Sequence, residues 1–285
     1  MILVTGVTGL IGRATAECLL DQGIALRGLA RDAAKAADLR ARDMEFVPGN
    51  MLDSEDMAKA TAGVTAALLV TPNDQRQLEM EQVFARAAAN SGVRHLVKIS
   101  SIRAAADARA PFPASHFQSE ESIRSLGMRW TMLRANFFLQ NLLMYAPSIA
   151  RSGTFTLPLG AAGIGMIDAR DVAEIAARKL LDSGCMCASH DISGRELLDC
   201  HAVAARMSAV LGREIRYLEQ TPADFRIFMQ KVVPDPWRVN AMCDLFADIA
   251  NDPLGPLTDE TEQLLGRKPR SVEQFVADYA KAFMP

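Results

Sequence analysis

The sequence predicts an α/β fold, a doubly wound parallel sheet with a smaller C-terminal α+β region. Three observations predict it. Short apolar runs suited to buried strands alternate with amphipathic, helix-length segments through the first half of the chain. The first apolar run ends in a glycine-rich turn that opens a helix. Beyond Gly153 the alternation gives way to glycine-rich loops and short helical stretches. At 285 residues and 49% apolar composition, the chain can bury a sizeable core as one large domain or two small ones.

Each element follows in order. Residues 2–4 form an apolar strand that breaks at Gly6, and a helical pattern opens at about Leu10. Residues 13–22 carry Ala16, Leu19 and Leu20 at helical spacing and stop at Gly23. Residues 24–30 are a second strand, and Asp32 is placed to cap a helix over 33–42. A third strand covers 44–47, Ser54 caps a helix over 55–61, and 66–70 is a fully apolar fourth strand. The next helix, 76–91, places Leu78, Val83, Phe84 and Ala87 on one side and ends at Gly92. Residues 95–99 are a fifth strand, 104–113 an Ala- and Pro-rich loop suited to a lid, and 115–126 a helix. A sixth strand at 129–133 leads to a helix over 136–145 that ends before Pro147. Residues 154–157 and 214–218 read as short strands, 191–193 as a last sheet strand, and 201–211 as a helix. Asp168 and Asp171 suit the first turn of a helix running to Leu181, a structural role. The expected division is a sheet domain over 1–150, joined by part of 164–194, and a substrate-binding region mainly over 151–285.

Strands alternating with helices imply right-handed βαβ crossovers, and such sheets bind ligands at the carboxyl ends of their strands. The strongest signal is the opening Thr5-Gly-Val-Thr-Gly-Leu-Ile-Gly12. A glycine triplet between strand and helix reads as a Rossmann-type dinucleotide cradle. Gly6 suits a tight turn, Gly9 close approach of a pyrophosphate, and Gly12 close helix packing, with Thr8, Leu10 and Ile11 completing the phosphate-facing turn. Arg31 stands just past the second strand and Lys35 four residues later, where the fold meets the adenosine ribose. Basic groups there favour a 2′-phosphate, so NADP(H) is the expected cofactor, the alternative being that Arg31 is a solvated surface charge. A charge-assisted bond to that phosphate is worth roughly 1.5–3 kcal/mol, at least tenfold in cofactor choice. The remaining strand-end candidates for the cofactor are Asn50 with Met51 and Leu52, Thr71 with Pro72, and Ser100 with Ser101.

Bulk properties exclude other classes. The net charge of −3 and the lack of a basic run argue against nucleic acid. No apolar run approaches the roughly 20 residues that span a bilayer, and the chain opens on a strand, so neither membrane nor signal peptide is expected. The five cysteines, Cys18, Cys185, Cys187, Cys200 and Cys243, are irregularly spaced. They read as free thiols in a reducing, cytoplasmic setting, with no metal site expected.

Several stretches together resemble one family. The Thr5–Gly12 motif is similar to the T-G-x-x-G-x-x-G of atypical short-chain dehydrogenases. Four further stretches resemble the NmrA-like group among them. These are His116-x-x-x-Glu120, Gly127-x-x-Trp-Thr-x-Leu-Arg134 with Phe138-x-x-Asn141, Ile167-Asp-x-x-Asp171-Val-Ala173, and Leu264-Leu-Gly-Arg-Lys-Pro-Arg-Ser271. That resemblance implies a Rossmann-type sheet with a small substrate region. Its activities are NADPH-dependent quinone, azo-dye and triphenylmethane reduction, isoflavone-type reduction, or cofactor-binding regulation without turnover. Two positions depart from the pattern: Asn50 stands where the group usually has aspartate, and Ala135 where it usually has proline.

The Tyr-x-x-x-Lys pair of the wider dehydrogenase family is absent. The residues four after Tyr145, Tyr217 and Tyr279 are Ile149, Thr221 and Phe283. The resemblance sets His116 about where isoflavone-type reductases carry a catalytic lysine; it either donates a proton, as an imidazole can near neutral pH, or is a helix N-terminal residue facing solvent or packing against Phe112. Glu120, one turn later, either orients His116 or is a solvated charge. Ser100 and Ser101 either touch nicotinamide or substrate or bond the strand end. Phe137, Phe138, Phe228 and Trp237, with Leu142, Phe225, Met229, Met242 and Phe246, either line a pocket for a flat aromatic substrate or form ordinary core. Three readings follow: an NADPH-dependent reductase of a quinone-like or conjugated aromatic acceptor, a cofactor-binding redox sensor, and a biosynthetic reductase or isomerase of one aromatic metabolite. A small aromatic substrate is the expected partner, and a homodimer the one assembly considered.

Overall fold

The computed structural model describes residues 1–184, 187–252 and 257–285. The first half contains β1 (Ile2–Thr5), α1 (Leu10–Leu20), β2 (Leu26–Ala30), α2 (Ala37–Arg40), β3 (Glu45–Pro48) and α3 (Ser54–Thr61). It continues with β4 (Ala66–Leu69), α4 (Gln77–Asn90), β5 (His95–Ser101), α5 (Pro111–Arg124) and β6 (Arg129–Ala135). Then come α6 (Ala146–Ser152), β7 (Thr154–Leu157), α7 (Ala169–Leu181), β8 (Ala188–Ile192), α8 (Cys200–Leu211) and β9 (Arg216–Glu219). The chain ends with α9 (Pro222–Val232), α10 (Pro236–Asn251), α11 (Glu260–Leu265), α12 (Val272–Asp278) and α13 (Ala280–Phe283).

Two compact units are present. The first comprises Met1–Asp107, Pro113–Arg134 and Arg170–Asp191. Its sheet has the order β3-β2-β1-β4-β5-β6-β8. The pairings from β3 to β5 are parallel, with Ile2 beside both Leu26 and Ala66, and Ala66 beside His95. The chain steps outward from β1 to β3 and returns across β1 to β4, which makes the carboxyl ends of β1 and β4 the switch point. Leu3, Leu29, Ala67, Leu69 and Leu96 of the strands pack with Met57, Phe84, Ala88 and Ile123 of the helices. These are the apolar, period-matched faces that such strands and helices must bury.

The second unit comprises Ala108–Phe112, Ala135–Ala169 and Ile192–Pro285. Phe155, Tyr217, Phe225, Phe246, Phe275 and Phe283 form its core with Leu139, Leu142 and Met229. Its sheet is a parallel pair, β7 with β9, Thr154 beside Arg216.

Several expectations need correction. Residues 135–150, assigned with the sheet domain, belong to the second unit, and the unit boundaries interleave along the chain. The helix expected over 33–42 is a 3-10 turn, Ala34–Ala36, followed by the single turn of α2, because only Ala36 and Leu39 have a core to enter. Asp53, not Ser54, caps α3, accepting from the N–H groups of Glu55 and Asp56. The 3-10 helix Leu139–Tyr145 runs directly into α6, and Pro147 sits in the first turn of α6, where its missing N–H costs nothing. The stretch 104–113 is less loop-like than expected. Ala104, Ala110 and Phe112 are buried, and α5 already starts at Pro111. Asp168 and Asp171 are fully buried at the start of α7, and Asp168 accepts from Gln140 Nε2 at 2.8 Å. Cys18, Cys187, Cys200 and Cys243 are free thiols, while Cys185 lies outside the described residues. Among the described residues no helix is long and apolar enough to cross a membrane.

Candidate cofactor and active site

The parallel strands bring the sequence candidates of the first unit to one sheet edge. Thr5 closes β1, and its Oγ1 donates to Val70 O and accepts from Val70 N, both at 2.8 Å, pinning the ends of β1 and β4 together. Gly6 then turns with φ +61°, a conformation side chains rarely adopt. At Gly12 a Cβ would lie 2.3 Å from Gly6 O, so only glycine lets α1 approach the turn. Helix α1 starts without a side-chain cap and without an acidic residue in its first turn. The first-turn amide N–H groups of α1, at Leu10, Ile11 and Gly12, have no side-chain cap, and Leu10 is exposed beside them, so the helix start is suited to an anion. This arrangement fits a dinucleotide pyrophosphate.

Beyond β2, Arg31 and Lys35 are both exposed, and neither side chain has an ion-pair or hydrogen-bond partner among the described residues. Asp32 Oδ1 accepts from Ala34 N at 2.9 Å and shapes the turn between them. After β3, Asn50 Oδ1 accepts from Leu52 N at 3.2 Å, and Asn50 N donates to Asp56 Oδ2 at 2.9 Å. The turn carrying Asn50, Met51 and Leu52 is thus built by the Asn50 side chain, whose amide NH2 remains a donor. An amide at this position keeps the turn geometry that an aspartate would also support, while replacing an acceptor by a donor.

The hydroxyls at the ends of β4 and β5 are mostly committed. Thr71 donates to Glu81 Oε1 at 2.6 Å, and Ser100 donates to Glu120 Oε1 at 2.6 Å. Ser101 is half-buried and accepts from Arg103 N at 3.2 Å, leaving its own hydrogen uncommitted.

Behind these hydroxyls lies a buried polar cluster. Lys98 Nζ and Glu81 Oε2 are 2.6 Å apart, and both side chains are fully buried. Lys98 Nζ also lies 3.1 Å from His116 Nδ1, and Gln77 Nε2 lies 3.2 Å from both ring nitrogens. An ammonium donor beside Nδ1 makes that nitrogen the acceptor and leaves the hydrogen on Nε2. Burial, then Lys98, lowers the His116 pKa to about 3. Burial raises the Glu81 pKa, but the electrostatic pull of Lys98 and His116, together with the hydrogen bonds from Lys98 and Ser119, outweighs it, and the net shift is downward. The expectation that His116 gives up a proton near neutral pH is therefore corrected: the imidazole is neutral there and part of a buried network. Nor does Glu120 orient it. Glu120 is buried and takes two bonds from Arg134, at 3.0 and 2.6 Å, and one from Arg124 at 2.9 Å. Burial raises the Glu120 pKa, but the Arg134 and Ser100 bonds prevail and hold it low.

In the second unit the four aromatic candidates are half-buried but form separate contacts. Phe137 meets Phe246 edge-on at 6.0 Å, Phe228 stacks on Tyr145 at 5.8 Å, and Trp237 meets Phe112 edge-on at 5.7 Å. Phe138 pairs through its backbone with Ile167 in an isolated parallel bridge. A surface groove of about 460 Å³, lined by Val93, Arg94, Leu126, Met128 and Arg129, lies at the amino ends of β5 and β6. It is on the edge opposite the cradle and shares no residue with it.

Sequence reasoning missed Glu81, Lys98 and Gln77. The signal was present: a lysine interrupts the apolar strand around it. Gln77 and Glu81 fall at helical spacing with Phe84 and Ala88, all buried.

The model of the NmrA-like family matches residues 1–276. The chain is 33% identical over 283 residues to an NAD(P)H azoreductase of Xenophilus azovorans, covering 99% of both chains. It is also 33% identical over 290 residues to a (4-alkanoyl-5-oxo-2,5-dihydrofuran-3-yl)methyl phosphate reductase of Streptomyces griseus, covering 100% of both. A solved NADPH-dependent quinone oxidoreductase from Escherichia coli, complexed with NADPH, superposes with a TM-score of 0.88 at 21% identity, covering 98% of this chain and 100% of that one.

Proposed function

The chain belongs to the NmrA-like family, and on that premise we propose that it is an NADPH-dependent reductase of a quinone-like or azo-type conjugated aromatic acceptor. The observation that carries this reading is the pair Arg31 and Lys35, exposed and without partners, beyond the strand next to the glycine cradle. The kinship to a reductase named for NAD(P)H and azo substrates supports it. The first-turn amides of α1 hold the pyrophosphate, and Arg31 and Lys35 hold the 2′-phosphate. Bound NADPH supplies the hydride. Thr71 and Ser100, tied to buried carboxylates, form fixed walls at the strand ends. Ser101 has a hydrogen to donate to an acceptor heteroatom as charge develops there. An acceptor activated by conjugation needs no Tyr-x-x-x-Lys acid: Ser101 steadies the developing oxyanion by a hydrogen bond, and the one proton taken up with each hydride comes from water. We assign the protein to the cytoplasm, consistent with its free thiols, and regard a homodimer, motivated by exposed Ile227 and Val232 on α9, as a matter for light scattering.

The test is the loss of NADPH absorbance on addition of quinones, azo dyes and enones in turn. Acceptor-dependent oxidation with at least one conjugated aromatic compound is expected. Tight NADPH binding with no turnover on any of them would favour a sensor instead.

A further inference from the structure

We propose that Arg13 is a positioning residue for cofactor choice, a clasp that holds the Lys35 segment against α1 so that Arg31 and Lys35 meet the 2′-phosphate. This rests on the reading of Arg31 and Lys35 given above. The segment cannot hold its own shape. It is a three-residue 3-10 turn followed by a four-residue helix, anchored to the core only by Ala36 and Leu39. Helices this short are not stable by themselves in water. Arg13, the residue after Gly12, attaches the segment at Lys35 and Asp38, while Arg40 over the Phe46 ring at 5.9 Å and Arg42 on Asp21 hold its far end. Arg13 Nη2 donates to the Lys35 carbonyl at 2.6 Å and its Nη1 to Asp38 Oδ2 at 2.5 Å, with Glu17 one turn along α1 at 3.7 Å. One planar guanidinium thus ties the start of the phosphate-binding helix to the backbone of the residue that reaches the adenosine end. The fork geometry does this; a lysine ammonium cannot bridge both acceptors with the same orientation. Arg13 itself is spent on Asp38 and Lys35, so it acts on the phosphate through Lys35.

The experiment measures calorimetric binding of 2′,5′-ADP and of 5′-AMP to the full chain and to Arg13→Ala, Arg13→Lys and Arg31→Ala. Both probes share the 5′-phosphate; only the first carries the 2′-phosphate. Wild type is expected to prefer 2′,5′-ADP by at least about tenfold. Arg13→Ala is expected to lose most of that preference through weaker 2′,5′-ADP binding, with 5′-AMP binding changed less than about twofold. Arg13→Lys, which keeps the charge, is expected to behave like Arg13→Ala. A full preference retained by Arg13→Lys would overturn the clasp in favour of charge alone. Equal losses for both probes would overturn it in favour of a role at the 5′-phosphate, and an unchanged ratio in Arg13→Ala would remove Arg13 altogether. If wild type shows no preference, or Arg31→Ala leaves it intact, the reading of Arg31 and Lys35 fails, independently of Arg13.

Discussion

Replacing Lys98 by methionine tests the buried cluster most severely. The Lys98–Glu81 pair is 2.6 Å apart with both side chains wholly out of solvent. Removing one member strands the other charge, which costs about 3–5 kcal/mol, whereas replacing both by neutral groups of similar volume is close to neutral. For 285 residues at roughly 2.1 cal/mol/K each, the unfolding entropy is about 0.6 kcal/mol/K. Lys98→Met should therefore lower Tm by about 5–8 °C at neutral pH. Glu81→Gln should cost less, because Lys98 keeps bonds to the Ile99 carbonyl at 3.2 Å and to His116. The double variant should recover most of the loss. Circular-dichroism melts of the three variants decide the matter. A Lys98→Met Tm within about 1 °C of wild type, or a double variant no better than the single, would refute the reasoning. The same variant should raise the His116 pKa from about 3, because the Lys98 charge is gone while burial remains. Histidine NMR titration reads that shift.

Three further outcomes are expected. Arg31→Asp should move preference from NADPH towards NADH by at least about tenfold in the ratio of Kd values; an unchanged ratio would sink the 2′-phosphate assignment. Ser101→Ala should lower kcat by about tenfold while His116→Gln leaves it within about twofold, and the reverse ranking in steady-state assays would return His116 to the chemistry. His116 and His95, with pKa values lowered by burial to about 3 and about 4, bind protons more readily in the unfolded chain. Stability should thus fall as pH drops below about 6.5, by up to ~1.4 kcal/mol per pH unit per histidine, until each folded pKa is passed. Urea unfolding at pH 7.5, 6 and 5 checks this, and a flat profile across that range would contradict it.

The parts of the fold that were legible in the sequence are those set by local pattern. Buried strands such as Ala66–Leu69 and the glycine turn carry their signals within a few residues. Strand β7 was visible as a strand, but its partner β9 lies far along the chain, and pairing at that distance leaves no local mark. The 33–42 stretch has helical composition, yet too few of its residues have a core to enter, so tertiary contacts shortened it. Within the site, Arg31 and Lys35 were readable because the fold fixes where the strand end lies. The polar cluster was not, because Thr71, Glu81, Lys98 and His116 come from four different segments and only their spacing in three dimensions makes them one network. Arg13 was hidden for the same reason, its two partners being a carboxylate and a backbone carbonyl more than 20 residues away.

The central claim is that cofactor is consumed here and that an aromatic acceptor receives its electrons. An anaerobic single-turnover experiment tests it most directly: protein loaded with one equivalent of NADPH, or of NADH, is mixed with a quinone, and both cofactor and quinol are quantified. The account predicts one quinol formed per NADPH lost, with NADH at least about tenfold slower or weaker. Bound NADPH that persists unoxidised in the presence of excess quinone and azo dye would contradict it.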